Sequence, residues 1–304
     1  MDRDRQEGLL ALAAALRPEL HRYCSRLMGS VIDGEDVVQD TFTQAFLALD
    51  ELCEVQQLRP WLFRIAHNRA LDLLRSRAIR VAEPIEAALE VVDDAKADPV
   101  EMLMRRQAVQ TAVSRFADLP VLQRSVIILK DVLDEPLAEI ASLLDITVDA
   151  VKGHLARGRA RLREINAQAK SLPDARIASA AVVRYVTLFN QRDWDGLRVL
   201  LADDVRLHQS SHPPRSGAPD VGMFFTIYAK SDRIWLVPAW IEDREVIAVF
   251  EDRADPKPNY FMWLEWREGK ISVIRDYRYI SYIVDDAELV LARDAGPFGH
   301  GIEH

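Results

Sequence analysis

The chain is poor in cysteine. Cys24 and Cys53 are its only two, which excludes a disulfide framework and a thiolate metal cluster and fits a reducing cytoplasm. It lacks a long apolar run. The stretch Leu9–Leu16 is far too short to span a membrane, and the charged start M-D-R-D-R-Q-E leads into no signal-peptide core. There is no excess of basic charge: 39 Lys and Arg face 48 Asp and Glu, for a net charge of −9. That balance excludes a protein that coats nucleic acid indiscriminately, while local basic stretches remain compatible with gated contact. Internal repeats and low-complexity tracts are absent. What the chain has is apolar mass, 49% of 304 residues, enough for two or three packed domains.

The stretch with the clearest chemistry is T-V-D-A-V-K-G-H-L-A-R-G-R-A-R-L-R, residues 147–163, preceded by L-A-E-I-A-S-L-L-D-I, residues 137–146. Two short helices broken at Asp145-Ile146 read as a helix-turn-helix. Ile140, Ala141, Leu144, Val148, Val151 and Leu155 recur at helical spacing and pack the pair together. Thr147 is placed to cap the second helix. That helix carries Lys152, His154, Arg157, Arg159, Arg161 and Arg163, with no acid between Asp149 and Glu164. A basic second helix behind an apolar first one suits a major-groove reader. The plainer alternative is a solvated basic face that touches no DNA.

Upstream, Leu9–Met28 reads as an amphipathic helix with Leu9, Leu12, Leu16, Leu20, Tyr23 and Leu27 on one side, and Pro18 marks a kink or a fresh start. A second helix is expected over Gly34–Leu52, capped by Asp33. It has an apolar stripe of Val37, Val38, Phe42, Ala45, Phe46 and Leu49 and an opposite face of Asp36, Gln39, Asp40 and Gln44. Pro60 then opens a helix with a core side of Trp61, Leu62, Ile65, Ala66, Leu73 and Leu74. Its surface keeps Arg64, Asn68, Arg69, Arg75 and Arg77, with Asp72 the single acid among them. Such a face with an aromatic at its start suits a melted strand. The competing reading puts Trp61 and Phe63 in a core. Residues 82–98, acid-rich and bounded by Pro84 and Pro99, read as a linker that either aids solubility or shields a basic face. Helices over Pro99–Phe116 and Val121–Val132 complete this half.

These three motifs together resemble an extracytoplasmic-function sigma factor of bacterial RNA polymerase. G-E-D-V-V-Q-D-T-F-T-Q-A-F (34–46) is similar to the family's clamp-docking helix. W-L-F-R-I-A-H-N-R-A-L-D-L-L-R (61–75) is similar to its strand-opening helix, and 139–162 to its upstream promoter reader. The resemblance implies an all-α domain over 1–81 that binds core RNA polymerase through Asp36, Gln39, Asp40 and Gln44. The same domain would take the −10 element through the loop 54–59 and through Arg59, Trp61, Arg64, Asn68, Arg69, Arg75 and Arg77. It implies a second all-α domain over 99–170 that reads −35 promoter DNA with Lys152, His154, Arg157, Arg159 and Arg161. The chain departs from the common family text at Asp134-Glu135-Pro136, where a short polar approach is usual.

Beyond Lys170 enough chain remains for another domain, expected over 173–304 with Pro173 at the junction. Helices over Ile177–Asn190 and 193–202 precede a strand at 204–211, a loop or lid at Ser210–Gly222, and strand-like runs at 234–241, 246–251, 260–267 and 271–279. Glu268-Gly269 is a hairpin turn. This is α+β. V-R-Y-V-T-L-F-N-Q-R-D-W-D-G-L-R-V-L-L-A-D-D-V-R-L (183–207) and W-R-E-G-K-I-S-V-I-R-D-Y-R-Y-I (266–280) resemble the SnoaL-like, nuclear-transport-factor-2-like cone, here expected to regulate the helical domains. A cone pocket would draw on Trp194, His208, Trp240, Asp276 and Tyr279, with a small-molecule ligand as one use of it. No cofactor, metal or catalysis is expected. Two other classes remain open: a one-component regulator that binds duplex DNA without polymerase, and a cone enzyme tethered to a DNA-binding module.

Overall fold

A computed structural model describes residues 3–48, 57–81, 99–168, 176–210 and 212–293. The chain divides into two compact units, 1–169 and 170–304. The acidic linker at 82–98, the loop residues 54–56 and the junction at Pro173 lie outside the described residues.

The first unit is all helical. Helix α1 (Arg3–Met28) runs on through Pro18. Breaking a helix bond there costs about 3 kcal/mol, which the burial of Leu20, Tyr23, Cys24 and Leu27 on the following turns offsets. Helix α2 (Val31–Leu47) starts three residues earlier than expected. Its cap is Ser30, whose hydroxyl accepts from the Asp33 N–H at 3.2 Å. Asp33 is buried inside the helix and instead accepts from Arg77 at 2.7 Å. Helix α3 spans Leu58–Val81 and α4 spans Pro99–Gln110. The helix expected to Phe116 stops at Gln110. A 3-10 turn over Val113–Asp118 follows, which sets Val113 and Phe116 into the core. Helix α5 (Val121–Ile127) ends in a widened turn over Ile128–Val132, closed by Leu133 N–H to Ile128 O at 3.0 Å.

Helices α6 (Leu137–Leu144) and α7 (Val148–Ala167) form the helix-turn-helix. Asp145 adopts the left-handed conformation, φ 55° and ψ 47°, and ends α6. Thr147 Oγ1 accepts from Ala150 N–H at 3.1 Å and starts α7. Ile140, Val151 and Leu155 are buried as expected, whereas Val148 is exposed.

The two helical segments, expected as separate domains, share one hydrophobic cluster that runs from Leu20 and Leu62 to Phe116, Ile127, Ile140 and Leu162. The joint is intimate. Arg124 of α5 donates to the Leu27 carbonyl at the end of α1 at 2.5 Å, and to the carbonyls of Ala117 and Leu119 at 2.8 and 2.9 Å. Gly29, at φ +70°, lies so close to Ala117 that a Cβ there would meet the alanine Cβ at 2.7 Å.

The second unit is α+β. Helices α8 (Ala180–Asn190), α9 (Trp194–Val199), α10 (Ala218–Gly222) and α11 (Phe224–Tyr228) accompany a seven-stranded sheet. Its strands are β1 (Leu201–Gln209), β2 (Arg215–Ser216), β3 (Trp235–Ile241), β4 (Arg244–Phe250), β5 (Tyr260–Arg267), β6 (Lys270–Asp276) and β7 (Leu289–Leu291). They lie in the order β2-β1-β6-β5-β4-β3-β7, and β1 and β6 are the parallel pair. Arg267 pairs with Lys270 across Glu268 and Gly269, both at positive φ, the two-residue hairpin turn that matches strand twist. Three expectations change. The helix expected over 193–202 stops at Val199, and β1 takes over from Leu201. Ile177 precedes α8, is exposed, and does not join its apolar stripe. The Ser210–Gly222 loop contains strand β2 and helix α10.

Candidate nucleic-acid and polymerase interface

Three surfaces of the helical unit carry the polar and basic residues singled out from the sequence. On α2, Gln39 and Gln44 are exposed while Asp36 and Asp40 are half-buried. Arg17 donates to Gln39 Oε1 at 3.0 Å, and Arg69 of α3 donates to Asp40 at 2.7 Å. Phe46 and Leu47 close this helix at 56% and 79% exposure. Phe46 is therefore not part of the buried stripe. It adds an apolar end to the polar face.

On α3, Arg64, Asn68, Arg75 and Arg77 are exposed, Arg59 and Arg69 are half-buried, and Trp61 packs partly into the core. Phe63 is buried. Several of these cations are engaged within the fold. Arg59 bonds the carboxylates of Glu19 and Glu135 and lies 4.8 Å over the Phe63 ring. Arg77 reaches Asp33, and Arg75 pairs loosely with Asp72 at 3.4 Å. Beneath this face His67 is buried and shares a 2.7 Å hydrogen bond with Tyr23 Oη. Burial, aided by the charge of Arg75, pushes its pKa down to about 4.

On α7 the basic residues divide. Lys152, His154 and Arg157 are half-buried and Arg161 is exposed. Arg157 Nη2 donates to His154 Nδ1 at 3.4 Å, and partial burial with the Arg157 charge lowers the His154 pKa. Arg159 turns the other way. Its Nε and Nη2 donate to both oxygens of Asp131 at 2.9 and 2.6 Å, and the Asp131 side chain is 1% exposed. Arg159, expected at the −35 DNA, is thus an internal tie between α7 and the end of α5. Gly158 beside it lets α7 approach α5, since a Cβ there would meet Ile127 Cγ1 at 2.9 Å.

Residues 12–79 match sigma-70 region 2, and residues 105–162 match sigma-70 region 4. The chain is similar to the ECF RNA polymerase sigma factor SigM of Mycobacterium tuberculosis, at 31% identity over 147 residues, 48% of this chain and 71% of that protein. The chain belongs to the ECF family of RNA polymerase sigma factors. It is also similar to SigG of the same organism, at 32% identity over 219 residues, 64% of this chain. It spans 59% of SigG's length. Among solved structures, the M. tuberculosis extracytoplasmic function sigma factor SigJ aligns with 90% of this chain and 97% of its own, at 20% identity and a TM-score of 0.35.

The second unit of this sigma factor has the helix-plus-sheet build that the SnoaL-like resemblance implies. The five residues expected to line one pocket are dispersed. Gln209 pairs with Asp276 across β1 and β6, so His208, one residue along, points to the opposite face of the sheet. Trp240 lies on β3, with β5 and β4 between it and Asp276. Tyr279 is exposed and stacks on His212 at 4.1 Å. Trp194 packs edge-on against Phe189 at 5.3 Å.

Around Asp276 a different group gathers. Gln209 Nε2 donates to its Oδ2 at 2.8 Å, and the Arg278 N–H to its Oδ1 at 3.2 Å. Tyr228 and Tyr260 share a 2.9 Å hydroxyl bond. Tyr185 is fully buried and its hydroxyl has no hydrogen-bond partner among the described residues. Burial pushes the Asp276 pKa up to about 6, against the pull of Gln209 and the Arg278 backbone. These tyrosines sit at core positions of helices and strands, so nothing in their spacing sets them apart from packing residues. No described helix is long and apolar enough to cross a membrane.

Proposed function

We propose that this chain is a transcription initiation factor that binds core RNA polymerase and directs it to specific promoters. The observation that carries the reading is the helix-turn-helix whose second helix, α7, capped by Thr147, leaves Arg161 exposed and Lys152 and Arg157 half-buried on its surface. Arginines so placed read guanine edges in the −35 major groove, each contributing about 1–3 kcal/mol of discrimination, while other basic side chains take phosphates. Asn68 and Arg64 on the outer face of α3 receive the opened −10 strand, where an unstacked base exposes its pairing edge. Gln39, Gln44, Phe46 and Leu47 on α2 offer polymerase a surface of polar groups ending in apolar ones.

The second unit modulates this activity and performs no chemistry of its own. The separation of His208 and Asp276 onto opposite faces of the sheet supports a non-catalytic role, since acid–base work needs its groups within hydrogen-bond reach. The test is transcription in vitro with sigma-free core polymerase and DNA from upstream of the chain's own gene. Start-site-specific transcripts that disappear with Asn68→Ala and Arg157→Ala are expected. Silence combined with tight duplex binding in the absence of polymerase would overturn the reading in favour of a one-component regulator.

A further inference from the structure

The departure from the family's common text at Asp134-Glu135-Pro136 has a structural counterpart. The turn between α5 and α6 is fixed by the Glu135 N–H to Leu129 O bond at 2.9 Å and by Lys130 Nζ to Glu135 O at 3.3 Å. Asp134, at φ 61°, bonds Arg105. Held in this way, Glu135 aims its carboxylate across to α3 and accepts from Arg59 Nη2, which also donates to Glu19 of α1, while Arg59 Nε makes a second bond to Glu19. The Glu135 side chain is 12% exposed and that of Arg59 is 34%. Beside the pair lies a small open pocket of about 40 Å³, lined by Arg59, Phe63, Arg64, Glu139 and Leu143 among others.

We propose that Glu135 is a positioning residue that restrains Arg59, so that two carboxylates of this chain occupy the guanidinium a nucleic-acid phosphate would otherwise take. The argument is one of competition. A carboxylate and a phosphate oxygen offer a guanidinium the same planar, charge-assisted acceptor geometry. An arginine already holding two carboxylates gains little from a phosphate until one of them leaves. Because a third of the Arg59 side chain is exposed beside this pocket, exchange needs only side-chain motion and modest energy. Such a clasp lowers affinity for non-cognate strands and ties the seating of α6 to whether Arg59 is in use. The proposal rests on the sigma-factor reading only for the identity of the phosphate, which there belongs to the opened promoter strand.

Two readouts on the full-length protein test it without polymerase. The first is fluorescence anisotropy with a labelled oligo-dT strand. The second is the distance between spin labels at Ser76→Cys on α3 and Ser142→Cys on α6, both exposed positions, with Cys53→Ser in the background. Glu135→Gln is expected to tighten oligo-dT binding about three- to tenfold at moderate salt, the scale of a partly buried ion pair with charge-assisted bonds. It should also broaden the label distance. Glu19→Gln should tighten binding in the same direction while leaving the α5–α6 turn untouched, which separates the clasp from a folding defect at Glu135. Unchanged oligo-dT affinity in both variants, with an unchanged distance in Glu135→Gln, would overturn the proposal. Tighter binding and a broadened distance in a protein that gives no promoter-specific transcript would leave the clasp standing and remove the sigma-factor reading alone.

Discussion

Arg159 on α7 turns inward to Asp131, and its removal has a calculable effect. Arg159→Ala leaves the Asp131 carboxylate, whose side chain is 1% exposed, with its two guanidinium bonds gone. Breaking a buried pair from one side costs about 3–5 kcal/mol, because the remaining charge stays desolvated. The Arg159 side chain is 15% exposed, so the lower end, about 3 kcal/mol, applies. In a unit of this size that lowers the melting temperature by roughly 6–12 °C. Arg161→Ala provides the contrast. Its pair with Glu164 joins side chains 52% and 61% exposed, and its loss costs about 0.5 kcal/mol or less. Replacing both members, Arg159→Met with Asp131→Leu, should recover most of the loss, since an apolar pair bears no desolvation penalty. Calorimetry of the three variants alongside duplex binding decides the matter. A melting point for Arg159→Ala within about 1 °C of the parent, with promoter affinity lost, would refute the internal role and return Arg159 to the DNA face.

Arg157→Ala should behave in the opposite sense, lowering affinity for −35 duplex by about tenfold or more while the melting temperature holds; gel-shift and calorimetry measure the two. His67 has a folded pKa of about 4 against an ordinary value of 6.5, so the unfolded chain binds its proton first. The stability tied to neutral His67 is complete above about pH 6.5 and drains away as pH falls towards 4, a loss of about 2 kcal/mol between pH 7.5 and pH 5. Urea unfolding at those two pH values, compared with His67→Gln, reads that difference. Asp276 is raised from 3.8 to about 6, so here the folded state holds its proton longer. The favourable contribution is present below about pH 4 and is lost as pH rises through 6, and Asp276→Asn should stabilise the second unit by about 2–3 kcal/mol at neutral pH and by little at pH 4. Equal effects at both pH values would show that the carboxyl is ionised throughout.

Features governed by neighbours along the chain were legible in the sequence. Thr147 caps α7 and Asp145 ends α6 because both effects need only a side chain and the next few backbone groups. The Glu268-Gly269 turn and the strand runs around it follow from period-two patterning and a two-residue turn. Asp33 misled because a helix N-terminus offers several polar residues in sequence, and choosing Ser30 depends on Asp33 finding Arg77 across the fold. Phe46 reads as core on a helical wheel, yet at the end of α2 it is exposed. The turning of Arg159 inward is signalled faintly by Gly158, a small residue where α7 crosses α5. The bond from Arg59 to Glu135 joins residues far apart in sequence, and the gathering of Tyr185, Tyr228 and Tyr260 near Asp276 depends on register across three elements. Neither leaves a local pattern to read.

The joint between Arg124 and the end of α1 bears on any attempt to re-engineer promoter specificity. Exchanging residues 99–168 for the equivalent segment of another sigma factor would transplant more than a DNA reader. The graft would have to bring an arginine able to reach the Leu27 carbonyl, and a residue no larger than Ala117 opposite Gly29. A donor lacking either would leave the last turn of α1 with an unanswered acceptor or a steric collision, so chimeras should sort by these two positions before they sort by the bases they recognise.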